Sequence, residues 1–123
     1  MLITRCKNSE EFKQFYNKYA NKWIAPVEWL LGHSDGVFCF YDEITSELLG
    51  CIYIEGDKEN RVCLSGFSKP KQMTKVIEAI KWVSNFMHLD DLYSHTECPP
   101  AKLVLLKSGF KKISNNLYKR SKF

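Results

Sequence analysis

The sequence predicts an α+β (α/β mixed) domain with a central mixed, mostly antiparallel sheet flanked by helices. Three observations carry that prediction. Residues 37–67 hold three short strand-like runs joined by turn chemistry, the pattern of an antiparallel meander. Behind Pro70 the apolar spacing changes to three and four residues, which describes a long amphipathic helix. Pro99 and Pro100 then open a short helix that Gly109 closes, and strand-like runs resume directly after it. The order is β-α-α-β-β-β-α-β-α-β-β over residues 1–123, read as one domain.

Each element has a local reason. Leu2 to Cys6 alternates as a first strand, and Asn8 caps a helix with Glu11 in capping-box position. Phe12, Phe15, Tyr16 and Tyr19 fall on one stripe of that helix. Pro26 starts a second short helix carrying Val27, Leu30 and Leu31, which ends near Gly32. Val37 to Tyr41, Leu48 to Ile54 and Arg61 to Phe67 are the meander strands, separated by the polar turns 42–47 and 55–60. Met73, Val76, Ile77, Ile80, Val83 and Met87 mark the long helix, and His88 suits its C-terminal end, where a cation is favoured. Leu92 to Thr96 is the next strand, followed by the helix Pro99 to Ser108. Strands Phe110–Ile113 and Asn116–Arg120 close the chain.

At 123 residues, 45% hydrophobic and 26% charged, the chain has the composition of a soluble globular domain with one core. No apolar run reaches the roughly 20 residues that cross a bilayer, and Met1 to Arg5 lacks signal-peptide character. The expected setting is therefore cytoplasmic, with no membrane partner; a virion would also fit. The five cysteines are odd in number and contain no Cys-x-x-Cys, so neither a disulfide framework nor a metal site is expected. Cys39, Cys51 and Cys63 read as small buried hydrophobes within strands. The net charge of +4 gathers at Lys102, Lys107, Lys111, Lys112, Lys119, Arg120 and Lys122. A solvated basic surface accounts for this excess, and nucleic acid is not an expected partner.

Two stretches resemble motifs of the GNAT superfamily of acyl-CoA-dependent N-acyltransferases. Leu48-Leu49-Gly50-Cys51-Ile52 resembles the entry to the family's third strand, and Ala101 through Phe110 resembles its last helix and Gly-Phe turn. The element order is also the family order. The resemblance implies an N-acetyltransferase using acetyl-CoA as co-substrate and a small-molecule or protein amine as acceptor, with the thioester carbon attacked directly. It places acyl-CoA in a cleft between the fourth and fifth strands, with backbone NH near Ser65 or Phe67 supporting the oxyanion. The pyrophosphate would lie on the loop before the long helix, where unpaired NH groups favour an anion. The family pattern there is Gln or Arg, two residues, Gly, one residue, then Gly or Ala. The matching stretch is Ser68-Lys69-Pro70-Lys71-Gln72-Met73-Thr74, which has no glycine. Ser65, Phe67, Ser68, Lys69, Lys71, Gln72 and Thr74 are the candidate cofactor-binding residues. Lys69 and Lys71 would supply charge, and Ser68 serves equally as a plain N-cap.

The catalytic residues depart further. The family's tyrosine acid falls on Leu105, and its usual asparagine on Cys98. Tyr93, Tyr118 or water would then donate the proton. The fourth strand has no carboxylate, so His95 and Glu97 at the end of the fifth strand are the candidate bases. Cys98 beside His95 also admits a nucleophile reading. Trp23, Trp29, Tyr41 and Tyr53 would line a substrate pocket or fill the core. The second reading is a GNAT-fold protein without chemistry, a binding or assembly component. The chain is similar in general character to compact GNAT-like proteins of tailed bacteriophages, some of them head-assembly or virion proteins. Under that reading Trp23, Trp29 and the basic C-terminal end contact a protein partner or a second copy.

Overall fold

A computed structural model describes residues 1–87 and 91–121. The expectations placed on His88 and Lys122 lie outside these residues. The elements follow the predicted order: β1 (Leu2–Thr4), α1 (Ser9–Tyr19), α2 (Val27–Gly32), β2 (Val37–Tyr41), β3 (Leu48–Gly56), β4 (Val62–Ser68), α3 (Met73–Met87), β5 (Asp91–His95), α4 (Pro99–Lys107), β6 (Lys111–Ser114) and β7 (Leu117–Ser121). A short 3-10 turn, Ser34–Gly36, precedes β2. The strands form one seven-stranded sheet in the order β1-β2-β3-β4-β5-β7-β6. The pairs β1–β2, β2–β3, β5–β7 and β6–β7 are antiparallel, and β4–β5 is parallel. Among the described residues, no helix is long and apolar enough to cross a membrane.

The main difference from the sequence reading lies in strand ends. β3 runs two residues past Ile54, to Gly56, while β1 stops at Thr4 opposite Cys39. Strand ends are set by the partner's ladder rather than by local alternation, so a single strand's sequence marks them poorly.

The chain packs as two compact units, Met1–Tyr53 with Gly66–Gln72, and Ile54–Ser65 with Met73–Phe123. The first has an aromatic core. Asn8 Oδ1 accepts the Glu11 N–H at 3.0 Å, which starts α1 and sets its stripe inward. Phe12 and Phe15 are buried, and the Phe67 ring meets Phe12 at 6.3 Å, Phe15 at 5.7 Å and Tyr16 edge-on at 5.7 Å. Burying each ring contributes on the order of 2 kcal/mol. Tyr41 and Tyr53 are core residues here; their hydroxyls accept the backbone N–H of Lys7 at 3.1 Å and of Ala25 at 3.0 Å. Trp29 is half-buried against His33 and Tyr53, while Trp23 is exposed. Cys39 and Cys51 lie buried directly opposite each other on β2 and β3.

Gly50 lies opposite Phe40, where the β2–β3 register shifts. A methyl group at Gly50 would fall 2.3 Å from Cζ of Phe40 and 2.8 Å from the Phe67 carbonyl oxygen. The family-like Leu-Leu-Gly therefore has a packing reason: the ring of Phe40 occupies the space a side chain would need.

In the second unit the face of β5 bearing Leu92 and Ser94 is buried, while Asp91 and His95 are exposed. Ser94 Oγ donates to the Leu64 carbonyl at 2.8 Å. Ala79, Ile80 and Val83 of α3, Leu105 of α4 and Tyr118 of β7 are core residues. Gly109 takes φ +94 behind α4, the left-handed conformation its place in the sequence predicts. The N–H of Phe110 closes that turn on the Leu105 carbonyl at 3.0 Å.

Candidate functional site

In the second unit the turn between β3 and β4 is built around Asp57. Its Oδ1 accepts the N–H of Glu59 at 2.9 Å and of Arg61 at 3.0 Å, and Asn60 turns left-handed at φ 60. With one oxygen committed to the turn, Oδ2 faces three donors: Arg61 Nε at 2.7 Å, His95 Nε2 at 3.1 Å and the Cys63 thiol at 3.6 Å. Burial opposes the Asp57 charge, but the hydrogen bonds from His95, Arg61 and the turn N–H groups outweigh it. They hold the carboxyl well below the usual carboxylate range. Burial first, and then the Asp57 charge, push the Cys63 thiol up to about 12, so it stays a protonated donor.

Tyr93 pairs with Cys63 on β4 and with Lys119 on β7, and His95 follows two residues on along β5, on the same face. Arg61 lies 5.2 Å from the Tyr93 ring centre and Lys119 5.5 Å. The His95 side chain is 48% exposed. The ligand atoms of Asp57, Cys63 and His95 lie within 4.8 Å of one another, close enough to share a cation. Arg61 sets a guanidinium on the same oxygen, which opposes a dication there. The cluster is therefore read as hydrogen-bonded.

The other predicted site residues separate. Glu97 is exposed in the connection after β5, whereas Tyr118 is buried at 2%. Tyr93 is half-buried and shares the face of His95. Leu105 is a core residue. Cys98 is half-buried ahead of α4, where its N–H donates to Thr96 Oγ1 at 3.1 Å. Ser65 Oγ lies 3.4 Å from Glu55 Oε1. Phe67 gives its ring to the core of the first unit. Gln72 is half-buried and Thr74 is exposed in the first turn of α3.

Two findings concern the loop. Ser68 ends β4 and donates its hydroxyl to the Lys69 carbonyl at 3.0 Å, so it is not the cap of α3, which begins five residues later. The Lys69 ammonium is paired with Glu47, which raises its pKa and claims its charge locally. Lys71 is exposed, with φ 66.

No family model matches the sequence, and no curated protein matches it. Solved structures do match. An N-acetyltransferase from Staphylococcus aureus Mu50 is 16% identical with TM-score 0.74, covering 98% of this chain and 96% of its own. A chimera of Vibrio cholerae spermidine N-acetyltransferase SpeG and hSSAT is 12% identical with TM-score 0.69, covering 98% and 96%. A Mycobacterium tuberculosis protein in complex with CoA is 13% identical with TM-score 0.67, covering 94% and 74%.

The chain has the GNAT fold. In the GNAT loop pattern Lys71 stands at the first glycine, and here it adopts the left-handed backbone that glycine favours. A non-glycine residue in that conformation carries roughly 1–2 kcal/mol of strain. Lys71→Gly is therefore expected to raise thermal stability by about 1 kcal/mol, read as a melting-temperature increase of a few degrees. A decrease would mean that the lysine side chain contributes more than its backbone costs.

The Asp57 cluster escaped the sequence reading. Asp57 reads as a turn residue, and its partner His95 is 38 positions away. Only the GNAT order of strands, which brings β4 beside β5, would have suggested looking for a carboxylate in the β3–β4 turn.

Proposed function

We propose that this protein is an N-acetyltransferase that transfers the acetyl group of acetyl-CoA to a small-molecule amine, with residues 1–123 acting as one GNAT-like domain. The observation that carries the reading is the left-handed turn at Lys71. Turns of this kind align successive backbone N–H groups into an anion-binding concavity, and this one precedes a helix in the chain. The matching folds include N-acetyltransferases and a protein holding CoA, which supports the same reading. Acetyl-CoA supplies the activated acyl group. His95, exposed at the end of β5, takes the ammonium proton from the acceptor, and Tyr93 on the same face is the proton donor. The matching folds give the bacteriophage-assembly reading no support.

Calorimetric titration with acetyl-CoA and with CoA tests this. Micromolar binding is expected, together with its loss in Lys71→Glu at a nearly unchanged melting temperature, since Lys71 is exposed. Turnover would then be followed by thiol release across a panel of primary amines, polyamines included. No heat at millimolar ligand would overturn the reading. Intact affinity in Lys71→Glu would remove the loop from it.

A further inference from the structure

We propose that Asp57 is a positioning residue: its carboxylate holds the Nε2–H of His95 and leaves the imidazole lone pair on Nδ1. The catalytic consequence rests on the reading of His95 as the base; the tautomer itself does not. Asp57 cannot rotate away from His95, because its Oδ1 is held by the N–H groups of Glu59 and Arg61 at 2.9 and 3.0 Å. Its own N–H donates to the Arg61 carbonyl at 3.1 Å, and the Asn60 N–H donates to the Asp57 carbonyl at 3.1 Å. Oδ2 is thus fixed 3.1 Å from His95 Nε2.

An ionised carboxylate only accepts hydrogen bonds, so the proton of this contact belongs to the imidazole. Arg61 Nε, 2.7 Å from the same oxygen, keeps Asp57 ionised and prevents it from taking that proton. Arg61 lies beside the Tyr93 ring, so the guanidinium is itself held. A neutral imidazole protonated at Nε2 is basic at Nδ1 alone. During transfer Nδ1 would receive one proton from the acceptor ammonium, giving an imidazolium paired with Asp57 that later returns the proton to solvent. A base oriented by a third group through its other nitrogen is a general solution for histidine catalysis.

Asp57→Asn separates this from a merely structural role. Asparagine retains an acceptor for the two turn N–H groups but places an NH2 where Oδ2 stands, so Nε2 must accept and the ring proton moves to Nδ1. Nitrogen NMR of the His95 ring at about pH 8.5, well above the ordinary histidine range, reads the tautomer. The Nε2–H form is expected in the native protein and the Nδ1–H form in the variant. With an acceptor in hand, kcat is expected to fall about 10²–10⁴-fold while the KM for acetyl-CoA stays unchanged. An Nδ1–H tautomer in the native protein would overturn the proposal, and needs no folded variant to observe. The Nε2–H form persisting in Asp57→Asn would overturn it as well. If the tautomer switches but His95→Gln leaves kcat intact, Asp57 orients His95 and the base reading alone fails.

Discussion

Gly66→Ala is expected to lower the melting temperature by roughly 10–20 °C, the consequence of about 3 kcal/mol in a domain of this size. A methyl group at Gly66 would lie 2.4 Å from the Cys51 carbonyl oxygen and 2.8 Å from Cδ1 of Ile52. The isoleucine tip can turn aside, but the carbonyl belongs to β3, and moving it disturbs the ladder of a central strand. Gly56→Ala is the matched control. Nothing lies within 4 Å of its added methyl, so a change within about 0.5 kcal/mol is expected. Thermal melts of the two variants beside the native protein decide the matter. Equal melting temperatures would mean that β3 and β4 yield to an intruding methyl group without cost.

His95→Gln is expected to reduce kcat by about 10²–10⁴-fold with unchanged acetyl-CoA affinity and a melting temperature within a few degrees of native. Glutamine keeps a polar, hydrogen-bonding side chain at this 48%-exposed position but has no group that takes up a proton near neutrality. Activity can be followed by thiol release with the best acceptor from the amine panel, and affinity by calorimetry. A kcat within twofold of native would move the base to Glu97 or to a group outside the cluster. A loss of CoA affinity instead of kcat would assign His95 to binding.

The two substitutions probe different things on two strands, Gly66 on β4 and His95 on β5. Gly66 answers to packing: the space beside it is filled by the backbone of β3. His95 answers to chemistry, and it stands in reach of Asp57 because the β4–β5 pair is parallel in register at Cys63 and Tyr93. The fold tolerates wide sequence change, since three of the matching structures share only 12–16% identity with this chain.

Local rules determined the order of elements. The Asn8 cap, the Phe12–Phe15–Tyr16 stripe, the period of α3, and the bracketing of α4 by prolines and Gly109 all act within a few residues, and each is found where the sequence placed it. The glycine-poor loop was legible as composition, but its left-handed turn at Lys71 was not. Lysine carries no signal for that conformation, which is imposed by the structure on either side. Only tertiary structure committed Lys69 to Glu47, turned Phe67 into the aromatic core, buried Tyr118, and brought Asp57, Arg61, Cys63 and His95 together. Most of these are contacts between distant parts of the chain, Phe12 with Phe67 and Asp57 with His95 among them. Side-chain chemistry alone does not specify which strands will be neighbours, so the sequence supplied the groups and the sheet decided which of them meet.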